Sequence, residues 1–177
     1  MKYKLSFVDF SIEDNFLDQE EFNKLQTLML GNTSCISYVY TDAIDYRGQE
    51  DKFQFTHMFY FGCNQTSQYF KILKPILDII NPISVYRIKA NLLTKTPNIV
   101  ENAFHVDIDN MSEEKLKQWT TSIFYINTNN GYTKFEDGSI VESVANRMVT
   151  FPSNMKHTGT SCTDEKIRGV INFNYFK

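Results

Sequence analysis

The spacing of apolar positions changes period part-way along the chain. In residues 18–30, Phe22, Leu25, Leu28 and Met29 recur at helical intervals. Asp18, followed three residues later by Glu21, is a capping-box-like start, and Gly31 closes the run. The pattern predicts a helix over 18–30. A second helix is predicted over 66–80, with Tyr69, Phe70, Leu73, Ile76, Leu77 and Ile80 as its buried stripe. Pro75 sits inside it and should kink or split it. Between the two, residues 36–61 are aromatic-rich and read as one or two strands around an Arg47-Gly48 turn.

After Pro82 the period falls to two. In residues 84–93, Tyr86, Ile88, Ala90 and Leu92 alternate with Val85, Arg87, Lys89, Asn91 and Leu93, a strand with a mixed second face. Further strands are predicted at about 102–107, 120–127, 132–136, 140–142, 147–151, 155–159 and 166–176. Asn129-Asn130-Gly131, Asp137-Gly138 and Pro152-Ser153-Asn154 supply the turn signals. A short helix from about Ser112 to Lys117 interrupts them. Many short strands with regular turns predict a sandwich or barrel. The chain reads as a single domain, 1–177, with a β-rich core over 83–177 and a helical and aromatic support region over 1–82.

Composition narrows the function classes. The chain has 177 residues and a net charge of −3, which disfavours a basic nucleic-acid or membrane-surface binder. Aromatic residues reach 15%, which suits strands. Cys35, Cys63 and Cys162 are far apart and form no C-x-x-C pair, so neither a disulfide framework nor a thiolate zinc site is expected. The N-terminus carries charges throughout and reads as no signal peptide, and no stretch is long and apolar enough for a membrane span. A reducing, cytoplasmic location is the expectation.

The candidate chemistry lies in the β-rich half. His105 and Asp107 stand two apart, so on a strand they share one face. His157, fifty residues beyond Asp107, can complete a set of two histidines and one carboxylate, the facial arrangement of non-haem Fe(II) oxygenases. The bland reading of H-x-D is a hydrogen-bonded surface pair. Arg168 opens the strand RGVINFNYF and shares a face with Val170, Asn172 and Asn174. Its planar fork suits a carboxylate, and its bland reading is a rim salt bridge with Asp164 or Glu165. His57 reads as a core or surface histidine, and Trp119 as packing. Asp109 competes with Asp107 as a ligand. Arg87, Lys89 and Asn91 read as substrate contacts or as a solvated face.

Residues 84–177 resemble the 2-oxoglutarate and Fe(II)-dependent dioxygenases, in the branch of the prolyl 4-hydroxylases. The resemblance rests on His105-x-Asp107, SIFYINTNNGYTKFEDG (122–138), NRMVTFPSNMKHTG (146–159) and Arg168, in that order. The chain also looks similar to small oxygenases of marine bacteriophages. The resemblance implies a mainly β fold with a double-stranded β-helix core (jelly-roll, cupin-like) behind N-terminal helices. It implies that His105, Asp107 and His157 hold Fe(II). It further implies that Arg168 takes the distal carboxylate of 2-oxoglutarate, with Tyr125 in support. Prolyl hydroxylases usually have lysine where Arg168 stands, a departure that touches the prolyl assignment rather than the cosubstrate. The implied reaction is hydroxylation with dioxygen, releasing succinate and CO2, with ascorbate as a supporting reductant. Asp107 favours hydroxylation over halogenation, in which a small residue replaces that carboxylate. The substrate is a protein or peptide side chain, a prolyl residue among them, or a small molecule. Nucleic acid and membrane are not expected partners. The alternatives are a nucleic-acid demethylase of the same superfamily and a non-catalytic jelly-roll binding protein with a vestigial metal site. For a phage protein the location becomes the host cytoplasm.

Overall fold

The computed structural model describes residues 10–31, 36–44 and 52–177. The expected Arg47-Gly48 turn and Cys35 lie outside the described residues. The chain runs through β1 (Ser11–Glu13), α1 (Gln19–Leu30), β2 (Val39–Thr41), β3 (Gln54–Phe61) and the short β4 (Asn64–Gln65). A 3-10 turn, Phe70–Leu73, leads into α2 (Lys74–Ile80), then β5 (Ser84–Thr94) and α3 (Glu113–Leu116). There follow β6 (Trp119–Tyr125), β7 (Tyr132–Phe135), β8 (Ile140–Glu142), β9 (Arg147–Pro152), β10 (His157–Gly159) and β11 (Ile167–Phe176).

The large antiparallel sheet has the order β1-β9-β6-β11-β5-β3-β2, with β4 paired to β3. A three-stranded sheet, β10-β7-β8, packs over one of its faces. This is the mainly β, double-stranded β-helix architecture that the resemblance implies, a narrower case of the sandwich or barrel predicted from the short strands. Alternate residues on β11 go to different cores. Ile171, Phe173 and Tyr175 join Ile88, Phe124 and Met148, and are covered by Phe22, Leu25 and Met29 of α1 and Ile76 of α2. Ile123, Tyr125, Val149 and Val170 face the other way, onto Phe135 and Val141 of the small sheet. Both faces are covered, so β11 is buried along almost its whole length. Truncating one fully buried residue of the helix-covered core, such as Leu73 or Ile76, to alanine would cost about 2–5 kcal/mol.

Local chemistry sets the helix ends. Asp18 caps α1 by accepting a hydrogen bond from the Glu20 amide at 2.9 Å. Glu21 turns to Lys24 instead of reaching back, so only half of the capping box forms. The helix expected over 66–80 is split. Pro75 occupies the first turn of α2, where its missing N–H is tolerated, and the turn before it is 3-10. Asn81, at φ 44°, ends α2 in the left-handed region.

Two further expectations change. No strand forms over 102–107. That segment meets the β10 region through isolated bridges at Glu101–Thr160 and His105–His157. Between them Gly159 O accepts from both the backbone and the side-chain amide of Asn102, at 3.3 and 2.9 Å. The region before residue 83 also does more than buttress. β3 pairs along β5 and β2 pairs along β3, so both extend the large sheet.

Candidate active site

A half-open cavity of about 70 Å³ lies between the two sheets, with the segment carrying Asn102, His105 and Asp107 forming part of its wall. His105 and His157 enter it as an antiparallel bridge pair, each backbone N–H donating to the other's carbonyl at 3.0 Å. This reciprocal pair of hydrogen bonds places the two imidazoles side by side, with ring centroids 5.0 Å apart. Each ring uses Nδ1 in the same local way, toward the carbonyl two residues earlier: Ala103 O at 3.1 Å and Met155 O at 3.2 Å. A carbonyl only accepts, so Nδ1 carries the hydrogen, and in the neutral ring Nε2 is the nitrogen left with a lone pair. His157 is buried against the edge of Phe151, at 4.9 Å between centroids. Burial holds His157 below the usual imidazole range, although the Asp107 charge pulls the other way.

Asp107 completes the set. One ligand atom from each of His105, Asp107 and His157 lies within 4.8 Å of the others. The Asp107 side chain is 5% exposed. The Asn172 and Asn174 amides donate to Oδ2 at 3.2 and 3.0 Å. The Arg87 guanidinium stands 2.9 Å from Oδ1 but is aligned too poorly to count as a hydrogen bond. Arg87 Nε donates to Asn174 Oδ1 at 3.0 Å and thereby sets which way that amide faces. Burial pushes the Asp107 carboxyl up. The Arg87 charge, the two imidazoles and the Asn174 amide outweigh it and hold the group well below the usual carboxylate range. Asn172 and Asn174 are the neighbours that motif reading misses, and Arg87, expected as a substrate contact or part of a solvated face, braces Asp107 instead. Their signal is a polar residue at every second position of otherwise apolar strands.

Arg168 lies four residues before Asn172 on β11, roughly 13 Å along the strand. It is only 3% exposed. Its Nε donates to Ser143 Oγ at 2.8 Å and one terminal nitrogen donates to Thr133 Oγ1 at 3.1 Å. Among the described residues it makes no salt bridge. The rim pairing does not form, since Asp164 accepts from the Asn130 amide instead. Burial accordingly pulls the guanidinium down from its ordinary range. Gly131 makes room for the side chain: a Cβ there would stand 2.7 Å from Arg168 Cδ.

Tyr125 lies under this arginine, with the guanidinium carbon 5.7 Å from its ring centre. Its hydroxyl donates to Thr133 Oγ1 at 2.7 Å. Thr133, not Tyr125, lines the cavity. Since Thr133 Oγ1 accepts from both Tyr125 and Arg168, its own hydrogen is left to donate elsewhere. Tyr125 thus reaches the chamber through Thr133.

The remaining candidates separate cleanly. Lys89 and Asn91 line the cavity, while Arg87 stands behind Asp107. Burial first, and the Arg87 charge second, bring the Lys89 ammonium down to about 8, against an opposing pull from Asp107. Asp109 is exposed and outside the triad. His57 is outside the triad and the cavity lining, held by Ser37 O at 2.7 Å and Ser67 Oγ at 2.8 Å and packed on the edge of Phe59. Trp119 packs edge-on against Tyr86 and Phe176.

The sequence matches no family model and no curated protein. Solved structures match it over most of its length. A prolyl hydroxylase from Trichoplax adhaerens, in complex with a hypoxia-inducible-factor peptide fragment, is 16% identical with a TM-score of 0.59, covering 95% of this chain and 83% of that one. A viral collagen prolyl hydroxylase from Paramecium bursaria Chlorella virus-1, in complex with 2-oxoglutarate, is 12% identical with a TM-score of 0.61, covering 96% of each chain. The non-haem α-ketoglutarate-dependent epimerase of nogalamycin biosynthesis is 12% identical with a TM-score of 0.65, covering 96% of this chain and 78% of that one. The likeness is one of fold.

Proposed function

We propose that the protein is an Fe(II)- and 2-oxoglutarate-dependent oxygenase acting as one catalytic domain over residues 1–177, with its active site in the core over 83–177. One observation carries the reading. A single chamber holds an N,N,O donor set and, about four strand residues away, a buried arginine that makes no salt bridge among the described residues.

The residues fit the groups this reading requires. Two imidazoles and one carboxylate, converging from one side, are a donor set suited to Fe(II) with open positions opposite. Arg168 is a desolvated fork with hydroxyls for partners, and a dicarboxylate would supply the missing charge. In this reading His105, Asp107 and His157 hold iron, and Arg168 with Thr133 takes the distal carboxylate. Tyr125 positions Thr133. When bound, iron and cosubstrate supply the oxidation itself, consuming dioxygen and releasing succinate and CO2. The chain's own work is to hold both imidazole tautomers, orient the Asp107 carboxylate through Asn172 and Asn174, and keep the chamber shielded from bulk water.

A peptidyl prolyl residue, another side chain or a small molecule is the substrate. The structural neighbours support that range, since their own descriptions span a peptide complex and an epimerase of nogalamycin biosynthesis. A bacteriophage origin and action in a host cytoplasm belong to the same proposal. No helix of the described residues is long and apolar enough to cross a membrane.

The test is anaerobic reconstitution with Fe(II), a 2-oxoglutarate titration, and then succinate measurement with peptide and metabolite panels under air. Wild-type protein should bind both groups, and His105→Ala and His157→Ala should lose iron. Wild-type protein that binds neither would overturn the assignment.

A further inference from the structure

The chamber's charges do not balance once the proposed iron and cosubstrate are in place, and the imbalance points to the substrate. Asp107 is the one acidic residue on the described wall, and Arg87 stands against it. A divalent ion and a dicarboxylate cancel each other. Three cations, Arg87, Lys89 and Arg168, plus the ion's two charges make five; Asp107 and the dicarboxylate bring three negative charges, leaving two positive. Arg168 is spatially committed to the distal carboxylate. The Lys89 ammonium remains, largely desolvated, with no hydrogen bond or ion pair among the described residues.

The atoms around Lys89 add a second constraint. Asn91 is two residues along the same strand and therefore on the same face, and Asn172 is Lys89's cross-strand partner. Both carry a buried Oδ1 without a hydrogen-bond partner. At Asn172 the amide orientation is set, because Nδ2 must face the Asp107 carboxylate. The 2-oxoglutarate dianion has acceptors only, so it cannot satisfy these oxygens. A buried carbonyl left unpaired is costly, so donors belong beside it.

We propose that Lys89 is a specificity residue, and that the site selects a substrate bearing a carboxylate with an N–H donor close by, the donor serving Asn91 or Asn172. The chemistry is that of an N-acylated or free amino acid. This rests on the oxygenase reading, which supplies the cosubstrate that occupies Arg168.

The experiment uses full-length protein loaded anaerobically with Mn(II) and 2-oxoglutarate, each binding step followed by calorimetry. If wild type fails to bind 2-oxoglutarate, the oxygenase reading fails first and visibly. On the loaded protein, a panel of N-acetyl amino acids and their matching primary amides is screened by saturation-transfer NMR and ranked by titration. At least one acid should bind tenfold or more tightly than its amide. Lys89→Met, which keeps length and removes charge, should abolish that preference while 2-oxoglutarate affinity stays within about threefold. Lys89→Gln serves the same purpose if Lys89→Met does not fold. A tenfold loss of 2-oxoglutarate affinity in either variant would assign Lys89 to the cosubstrate and overturn the proposal. So would a panel in which acids and amides bind alike, or in which no member binds.

Discussion

Replacing Arg168 with methionine separates a ligand-binding role from a structural one, because the two predict opposite costs. In the free protein the guanidinium is 3% exposed and bonded to two hydroxyls, Ser143 Oγ and Thr133 Oγ1. Desolvating a cation costs several kcal/mol, and hydrogen bonds to neutral hydroxyls recover part of it. Methionine removes the charge, keeps most of the volume and leaves Thr133 bonded to Tyr125. Unfolding free energy of the ligand-free variant should therefore stay within about 2 kcal/mol of wild type. Binding behaves differently. Each charge-assisted hydrogen bond to an incoming carboxylate contributes about 1.5–3 kcal/mol. At about 1.4 kcal/mol per decade, losing one such bond weakens 2-oxoglutarate roughly tenfold to a hundredfold, and losing two weakens it by roughly a hundredfold or more. Arg168→Lys keeps the charge but not the fork and should fall between. The assay is anaerobic titration of 2-oxoglutarate into Fe(II)-loaded protein, following the metal-to-ligand charge-transfer band, with Fe(II) affinity measured alongside. An unchanged half-saturation point, or a loss of iron affinity equal to the loss of cosubstrate affinity, would refute the assignment.

Asp107→Ala should lose Fe(II) binding and also destabilise the metal-free protein by about 3–5 kcal/mol, because it strands the Arg87 cation; urea denaturation reads this, and wild-type stability would contradict it. The folded pKa of Lys89, about 8, is below its unfolded value, so the unfolded chain binds more protons between them and metal-free stability should rise with pH from 8 toward 10.5. The rise is about 3 kcal/mol for a fully expressed shift, and comparing wild type with Lys89→Met at pH 7.5 and 10 isolates it. Gly131→Ala drives a Cβ to 2.7 Å from both Arg168 Cδ and the Ser161 backbone carbonyl, so it should cost about 1–3 kcal/mol and weaken 2-oxoglutarate. Gly159→Ala meets only the end of Arg168, at 3.2 Å, and should do distinctly less in thermal melts and in the same titration.

The elements legible in the chain are those set by local chemistry. Period-two alternation after Pro82 and the turn residues mark β5 through β11, and Asp18 and Gly31 bracket α1. His105, Asp107, His157 and Arg168 stand out because charged or imidazole side chains are rare in such apolar surroundings. What stayed hidden depends on register. That Asn174 lies opposite Arg87, and Asn172 opposite Lys89, follows only from the pairing of β11 with β5. The cage around Asp107 is therefore invisible until the strands are aligned. The segment 102–107 has the composition of a strand but pairs at isolated points, because its partner offers only the short β10. Thr133 does not stand out in the sequence for a simpler reason: a hydroxyl in a strand is ordinary, and only the convergence of Tyr125 and Arg168 on it gives it a role.

The central place of β11 has a consequence for how the protein is made. β5 and β6 do not pair with each other; each pairs along β11, which follows both in the chain. While the chain is synthesised, each of the two must wait with one edge unpaired until residues 167–176 have emerged. Such late, long-range closure is slow, and it leaves hydrophobic strand edges exposed in the meantime. High-level expression should therefore be limited by aggregation of nascent chains rather than by the stability of the finished fold. Slower translation or a lower growth temperature should recover more soluble protein than stabilising substitutions in α1 or α2.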